Sequence, residues 1–105
     1  MRIDVVTIFP GMFAPVLDES IIKRAREGGR LDVAVHDLRR YTHDRRRTVD
    51  DRPYGGGPGM VMRPEPLFEA VEDLTRGTLE SAAATCRILM SPQGEVLTSV
   101  LARSL

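Results

Sequence analysis

Nowhere in the 105 residues does an apolar run reach the roughly 18–20 residues needed to span a membrane. A secretory leader is missing too: Arg2 and Asp4 flank a short strand-like run, and no small-residue cleavage site follows. Both absences point to a cytoplasmic chain. Cysteine is nearly absent. Cys86 stands alone, so it forms no internal disulfide, and no metal-ligand spacing surrounds it. Beside Ile88-Leu89-Met90 it reads as a small buried hydrophobe. Net charge is zero, so the molecule as a whole has no field that calls for a polyanionic partner. Lys23 is the only lysine, and arginine carries nearly all the positive charge.

What is present suits one small soluble domain. Hydrophobic content is 42% and charged content 29%, both ordinary for a globular protein. A chain of this size has room for one core with a narrow margin. Residues 3–9 are rich in β-branched side chains and predict a buried strand ended by Pro10-Gly11. A short helical turn follows over 12–17. Ser20 is the expected cap of a helix over 21–27 that stops at Gly28-Gly29. Residues 31–36 predict a second strand with Leu31, Val33 and Val35 on one face. Strand, helix and strand in that order imply a crossover and a parallel sheet. Further on, Leu67, Phe68, Val71 and Leu74 recur at helical spacing between Pro64 and Gly77. Residues 78–85 read as a polar, alanine-rich connector. A third short strand is expected over 87–90, and a last helix over 96–105 with Leu97, Val100, Leu101 and Leu105 on one stripe. The fold class is therefore α/β, a parallel sheet with flanking helices.

Between these elements, residues 37–63 keep neither period for most of their length. A loop that long in a small domain is usually functional or disordered. Segment 39–52 holds Arg39, Arg40, Arg45, Arg46, Arg47 and Arg52 against Asp44, Asp50 and Asp51, a local excess of three positive charges. Guanidinium forks suit phosphate oxygens, although a solvated loop in an arginine-biased chain would look the same. After it comes Tyr54-Gly55-Gly56-Gly57-Pro58-Gly59, closed by Met60 and Met62. Glycines permit positive φ and close backbone approach to a ligand. The loop is not a nucleotide P-loop, because no Lys-Ser/Thr follows. Nor is it a dinucleotide fingerprint, because no strand directly precedes it. A shaped backbone surface remains, against which a flat group can lie. Asp50 and Asp51 can position a proton or pair with Arg47 or Arg52. His36 and His43 lack metal-ligand partners at suitable spacing and read as structural or surface residues.

The last motif is Met90-Ser91-Pro92-Gln93-Gly94, at the C-terminal end of the expected third strand, where open parallel sheets bind ligands. Gln93 offers an amide and Gly94 admits close backbone approach. Taken with Phe9-Pro10-Gly11-Met12-Phe13, Ser20-Ile21-Ile22, Ala25-Arg26 and the unbroken DDRPYGGGPGMVMRPEPLFEA segment, it closely resembles the bacterial tRNA (guanine-N1) methyltransferase family of the knotted SPOUT class. The resemblance runs over the whole chain. The long glycine-rich segment is its most specific part.

The resemblance implies a homodimer that moves a methyl group from S-adenosylmethionine to N1 of the guanosine 3′-adjacent to the tRNA anticodon. By motif, Leu89, Met90, Ser91, Pro92, Gln93 and Gly94 form the first cofactor loop. Asp50, Tyr54, Gly55, Gly56, Gly57, Pro58 and Gly59 line the target-base pocket, within a substrate loop of about 37–63. The arginines before them could then face RNA phosphate, although the sequence does not decide whether the 39–52 loop contacts RNA. Two departures stand out. The family usually has glutamine where Ser99 stands. Its members also continue for more than one hundred further residues, which hold the other cofactor loops, the catalytic aspartate and arginine, and a C-terminal tRNA-binding domain. Residues 1–105 are thus expected to be an incomplete SPOUT domain in which the knot does not close, with no catalytic residue and no metal ligand of its own, and inactive alone. A non-catalytic RNA-binding module and a partly folded remnant with aggregation-prone edge strands are the alternatives.

Overall fold

The computed structural model describes residues 1–76 and 85–105. Two parallel strands carry the architecture. β1 (Arg2–Thr7) pairs with β2 (Asp32–Asp37) in the register Arg2↔Asp32 through Thr7↔Asp37. The crossover between them holds a 3₁₀ turn (Pro10–Met12) and the helices α1 (Ala14–Leu17) and α2 (Ser20–Glu27). Ile22, Ala25 and Arg26 are the half-buried residues of α2, and Val33 and Val35 of β2 face the hollow beneath the crossover.

α2 stops where expected. Gly28 N–H donates to the Arg24 carbonyl at 2.9 Å, and Gly29 takes a φ of 66°. Its start differs from the expectation. Ser20 is the first helical residue with a φ of 48°, and Glu19 occupies the cap position without a side-chain cap bond. A capping hydroxyl needs extended backbone at its own residue, which Ser20 does not have.

The opposite face of the sheet is covered by the segment expected to be irregular. A 3₁₀ turn (Leu38–Tyr41) leads out of β2, with Asp37 Oδ1 accepting from Arg39 N–H at 3.0 Å. Leu38, Val49 and Ala70 form the buried core, with Val6, Ile8, Tyr41 and Leu67 packed around them. A two-residue ribbon, β3 (Asp50–Asp51) against β4 (Val61–Met62), closes the glycine loop, and Arg63 N–H extends it by a 2.8 Å bond to the Val49 carbonyl. α3 (Pro64–Thr75) begins with Pro64 in its first turn, where a missing N–H costs nothing.

The inner face of α3 is shifted from the expected stripe. Pro66 and Ala70 are buried with Leu67 and Leu74 beside them, while Phe68 and Val71 are exposed. Two polar ties fix that choice. Tyr41 Oη donates to Asp73 Oδ2 at 3.0 Å, and His43 Nε2 lies 2.8 Å from Glu69 Oε2. Glu69 and Asp73 are four apart, so they share one edge of the helix.

The expected strand at 87–90 is absent. Those residues have no ladder partner among the described residues, and Ile88, Leu89 and Met90 are exposed. Strand propensity describes fit to a sheet surface; without a neighbouring strand it creates no strand. The sheet is accordingly two-stranded rather than three-stranded. Cys86, expected buried, is exposed in the same stretch. The final helix is shorter than expected: α4 (Ser99–Ser104) starts after Thr98, whose Oγ1 accepts from Leu101 N–H at 3.2 Å. From residue 85 onward only Leu101 is half-buried. The radius of gyration of 16.0 Å exceeds the roughly 13 Å of a compact chain of this length. Gly77 and most of the connector at 78–85 lie outside the described residues.

Candidate functional site

The glycine loop is a hairpin whose base is fixed and whose tip is open. The base is the β3/β4 ribbon, anchored below by Val49, which is 1% exposed. Within the tip, Gly56 N–H donates to the Pro53 carbonyl at 3.1 Å. Gly55, Gly56, Gly57 and Gly59 have φ of 83°, 82°, 108° and 90°. No heavy atom would lie within 4 Å of a Cβ added at any of the four. Glycine is therefore required by backbone conformation, and the absent side chains leave the backbone bare to an approaching ligand. Tyr54 is 99% exposed beside it. Pro58 is exposed too, and its ring offers a flat apolar face.

Asp50 sits at the ribbon, half-buried, and Asp51 Oδ1 accepts from Arg52 N–H at 2.7 Å. The expected base-pocket residues thus come together on one hairpin. They form an open surface, apart from the hollow beneath α1 and α2 and from the one beside Tyr41 and Asp73.

The second expected site folds as a turn. Gly94 N–H donates to the Ser91 carbonyl at 3.0 Å, and Gln93 N–H to Ser91 Oγ at 3.2 Å. A Cβ on Gly94 would stand 3.1 Å from the Ser91 carbonyl oxygen, so a larger residue here would have to shift the turn by a few tenths of an ångström. Leu89 and Met90 lie exposed before the turn. Apolar side chains and backbone groups outside any helix or strand thus stand together there, the two kinds of group that a wall of an adenosyl site would need. No hydrogen bond or ion pair among the described residues joins residues 89–94 to the hairpin.

Sequence reasoning missed the clamp at the arginine loop. Asp44 accepts from Thr48 N–H at 2.9 Å and from Thr48 Oγ1 at 2.7 Å, and Arg47 N–H donates to the Asp44 carbonyl at 3.1 Å. The Thr48 hydroxyl, then its backbone N–H, hold the Asp44 carboxyl below the usual carboxylate range. The signal was available as an Asp followed four residues later by Thr, a side-chain turn closing around three arginines.

A second missed group spans the strands. Asp4 Oδ2 accepts from Arg2 Nε at 3.0 Å, and Asp4 Oδ1 lies 2.8 Å from His36 Nε2. Arg2, then His36, pull the Asp4 carboxyl down despite partial burial. Among the described residues no group of three His, Cys, Asp or Glu could hold a metal ion, and no helix is long and apolar enough to cross a membrane.

Comparison with known proteins gives this geometry a context. The family model described as tRNA (Guanine-1)-methyltransferase TrmD matches residues 1–105. The chain is 57% identical over 105 residues to the tRNA (guanine-N(1)-)-methyltransferase of Moorella thermoacetica, covering all of this chain and 41% of that protein. It is 51% identical over 105 residues to the enzyme of the same name from Thermomicrobium roseum, again covering all of this chain and 38% of the relative. Among solved structures, the tRNA (m1G37) methyltransferase of Aquifex aeolicus superposes with a TM-score of 0.68 at 38% identity, covering 74% of this chain and 35% of that one. The chain spans about two fifths of the length of these curated relatives.

Proposed function

The chain belongs to the tRNA (guanine-1)-methyltransferase family, of the SPOUT class, and on that premise we propose that it takes part in methyl transfer from S-adenosylmethionine to N1 of the guanosine 3′-adjacent to the tRNA anticodon. In this reading Asp50, Tyr54, Gly55, Gly56, Gly57, Pro58 and Gly59 form one wall of the guanine site. Leu89, Met90, Ser91, Pro92, Gln93 and Gly94 form one loop of the cofactor site. Bound there, the sulfonium of S-adenosylmethionine supplies the methyl group. The residues of this chain do the orienting. The bare backbone of the hairpin receives the flat face of the base, the Asp50 carboxylate lies at its foot, and the turn at 91–94 brings backbone close to the adenosyl end.

The observation that carries the proposal is the fixed hairpin, with four glycines at positive φ and no side chain over its backbone. Residues 1–105 make up an incomplete catalytic domain, and transfer needs an acid–base group and further cofactor contacts from beyond them. The working assembly is a cytoplasmic homodimer acting on tRNA.

A chimera tests this. The chain replaces the matched two fifths of the Moorella thermoacetica relative, and labelled methyl transfer to an unmodified tRNA transcript is measured. Transfer to a transcript with guanosine beside the anticodon, and none to one with adenosine there, is expected. A folded chimera that binds S-adenosylmethionine yet methylates neither transcript contradicts the proposal.

A further inference from the structure

The six arginines of segment 39–52 do different things. Arg39 Nη1 donates to the Arg47 carbonyl at 3.2 Å and so braces the loop. Arg45, Arg46 and Arg47 stand exposed at its tip, and none of their guanidinium groups has a hydrogen-bond or ion-pair partner among the described residues. The nearest acid in sequence, Asp44, turns its carboxylate onto Thr48 instead, through three contacts of 2.7–3.2 Å. Arg47 holds a φ of 52°, a conformation arginine avoids unless its surroundings fix it. Three positive charges are thus set on a shaped turn while the local negative charge is occupied.

The turn is also mechanically tied to the candidate guanine site. Thr48 leads into buried Val49, and Val49 into Asp50 of the ribbon. Two residues stand between Arg47 and Asp50, so their Cα atoms are at most about 11 Å apart. Enzymes that act on an extruded base also rely on contacts to the nucleotides flanking it.

We propose that the 45–47 tip is a phosphate-contacting element that sets the path of the RNA strand across the glycine hairpin, and that Asp44 and Thr48 are its positioning residues. The inference rests on the functional reading above and adds to it the residues that grip the strand. Phosphate contacts of this kind fix register and orientation, while the hairpin reads the base.

Binding of the chain to an unmodified tRNA transcript, followed by fluorescence anisotropy across a salt series, tests it. Each phosphate contact removed lowers the salt slope by about one. R45Q/R46Q/R47Q should reduce the slope by about two to three and weaken low-salt binding at least about tenfold. An unchanged slope overturns the proposal, as does a wild-type chain that binds tRNA no better than this variant.

Asp44 separates a built turn from a diffuse charge cloud. Asp44→Ala removes a negative charge beside three arginines, so a mere charge effect tightens binding. Loss of the clamp weakens it, and weakening of several fold is the expected result. Asp44→Asn keeps an accepting oxygen for Thr48 and should bind at least as tightly as wild type, while Thr48→Val, at constant charge, should weaken binding. Tightening in Asp44→Ala contradicts the positioning role. Far-UV circular dichroism checks that each variant is folded. S-adenosylmethionine binding and methyl transfer in the chimera report on the functional reading separately. Normal transfer with an unchanged salt slope would overturn this inference alone.

Discussion

Tyr41 Oη donates to Asp73 Oδ2 at 3.0 Å across 32 residues of sequence, joining the 3₁₀ turn after β2 to the last turns of α3. With His43 and Glu69 it makes the long loop part of the scaffold. Tyr41→Phe should cost about 0.5–1 kcal/mol in urea unfolding, the usual worth of a partly exposed hydrogen bond. Burial, then the Asp73 bond, raise the Tyr41 pKa above its ordinary value. A raised folded-state pKa means a contribution that is complete below the unfolded value near 10 and declines as pH climbs through the higher folded one. The wild-type chain should therefore lose more stability than Tyr41→Phe between pH 9 and 12.

Acid should act through Asp4. Its folded pKa is lowered, by Arg2 first and His36 after it. The contribution is present above the unfolded value of about 3.9 and disappears as pH falls through the lower folded value. Urea melts from pH 5 to pH 2 should show a steeper loss for wild type than for Asp4→Asn. Parallel curves would show that this carboxylate is not coupled to folding.

The core is small enough for one residue to decide the outcome. Leu38 is 0% exposed and packs with Val49 and Ala70. Leu38→Ala should cost about 2–5 kcal/mol, the range for truncating a buried leucine. Against a total stability of about 5–15 kcal/mol that is a large fraction. A denaturation midpoint within error of wild type would mean that this cluster does not hold the fold.

At Gly57, with φ of 108° and free space around it, the demand is purely conformational. Gly57→Ala should destabilise the hairpin by about 1 kcal/mol or more. Semisynthetic D-alanine at the same position suits positive φ and should be accepted. Amide hydrogen exchange at Gly56, whose N–H bonds Pro53, reads the difference directly.

Much of this was legible in the sequence, for identifiable reasons. β1, β2 and α2 carry their signals within a few residues: β-branched runs, Pro10-Gly11 and Gly28-Gly29. The glycine hairpin announced itself because few other residues tolerate its φ values. The third strand failed because Ile88-Leu89-Met90 has strand composition without a strand beside it. The face of α3 was misjudged because Ala70, small and weakly hydrophobic, is buried in one cluster with Leu38, a partner no local pattern reveals, and Pro66 is buried on the same helix. The ties of Tyr41 to Asp73 and of His43 to Glu69 were hidden for a related reason: a polar residue's distant partner is set by the fold.

The most direct test of the chain's proposed role is a pair of amide NMR titrations, one with S-adenosylmethionine and one with guanosine monophosphate. The expected result is two separate sets of shifts, at residues 89–94 for the cofactor and at residues 50–59 for the nucleotide, visible even if binding is weak. Shifts that fall elsewhere, for example in the hollow lined by Val33, Val35 and Arg26, or no shifts at millimolar ligand, would contradict it.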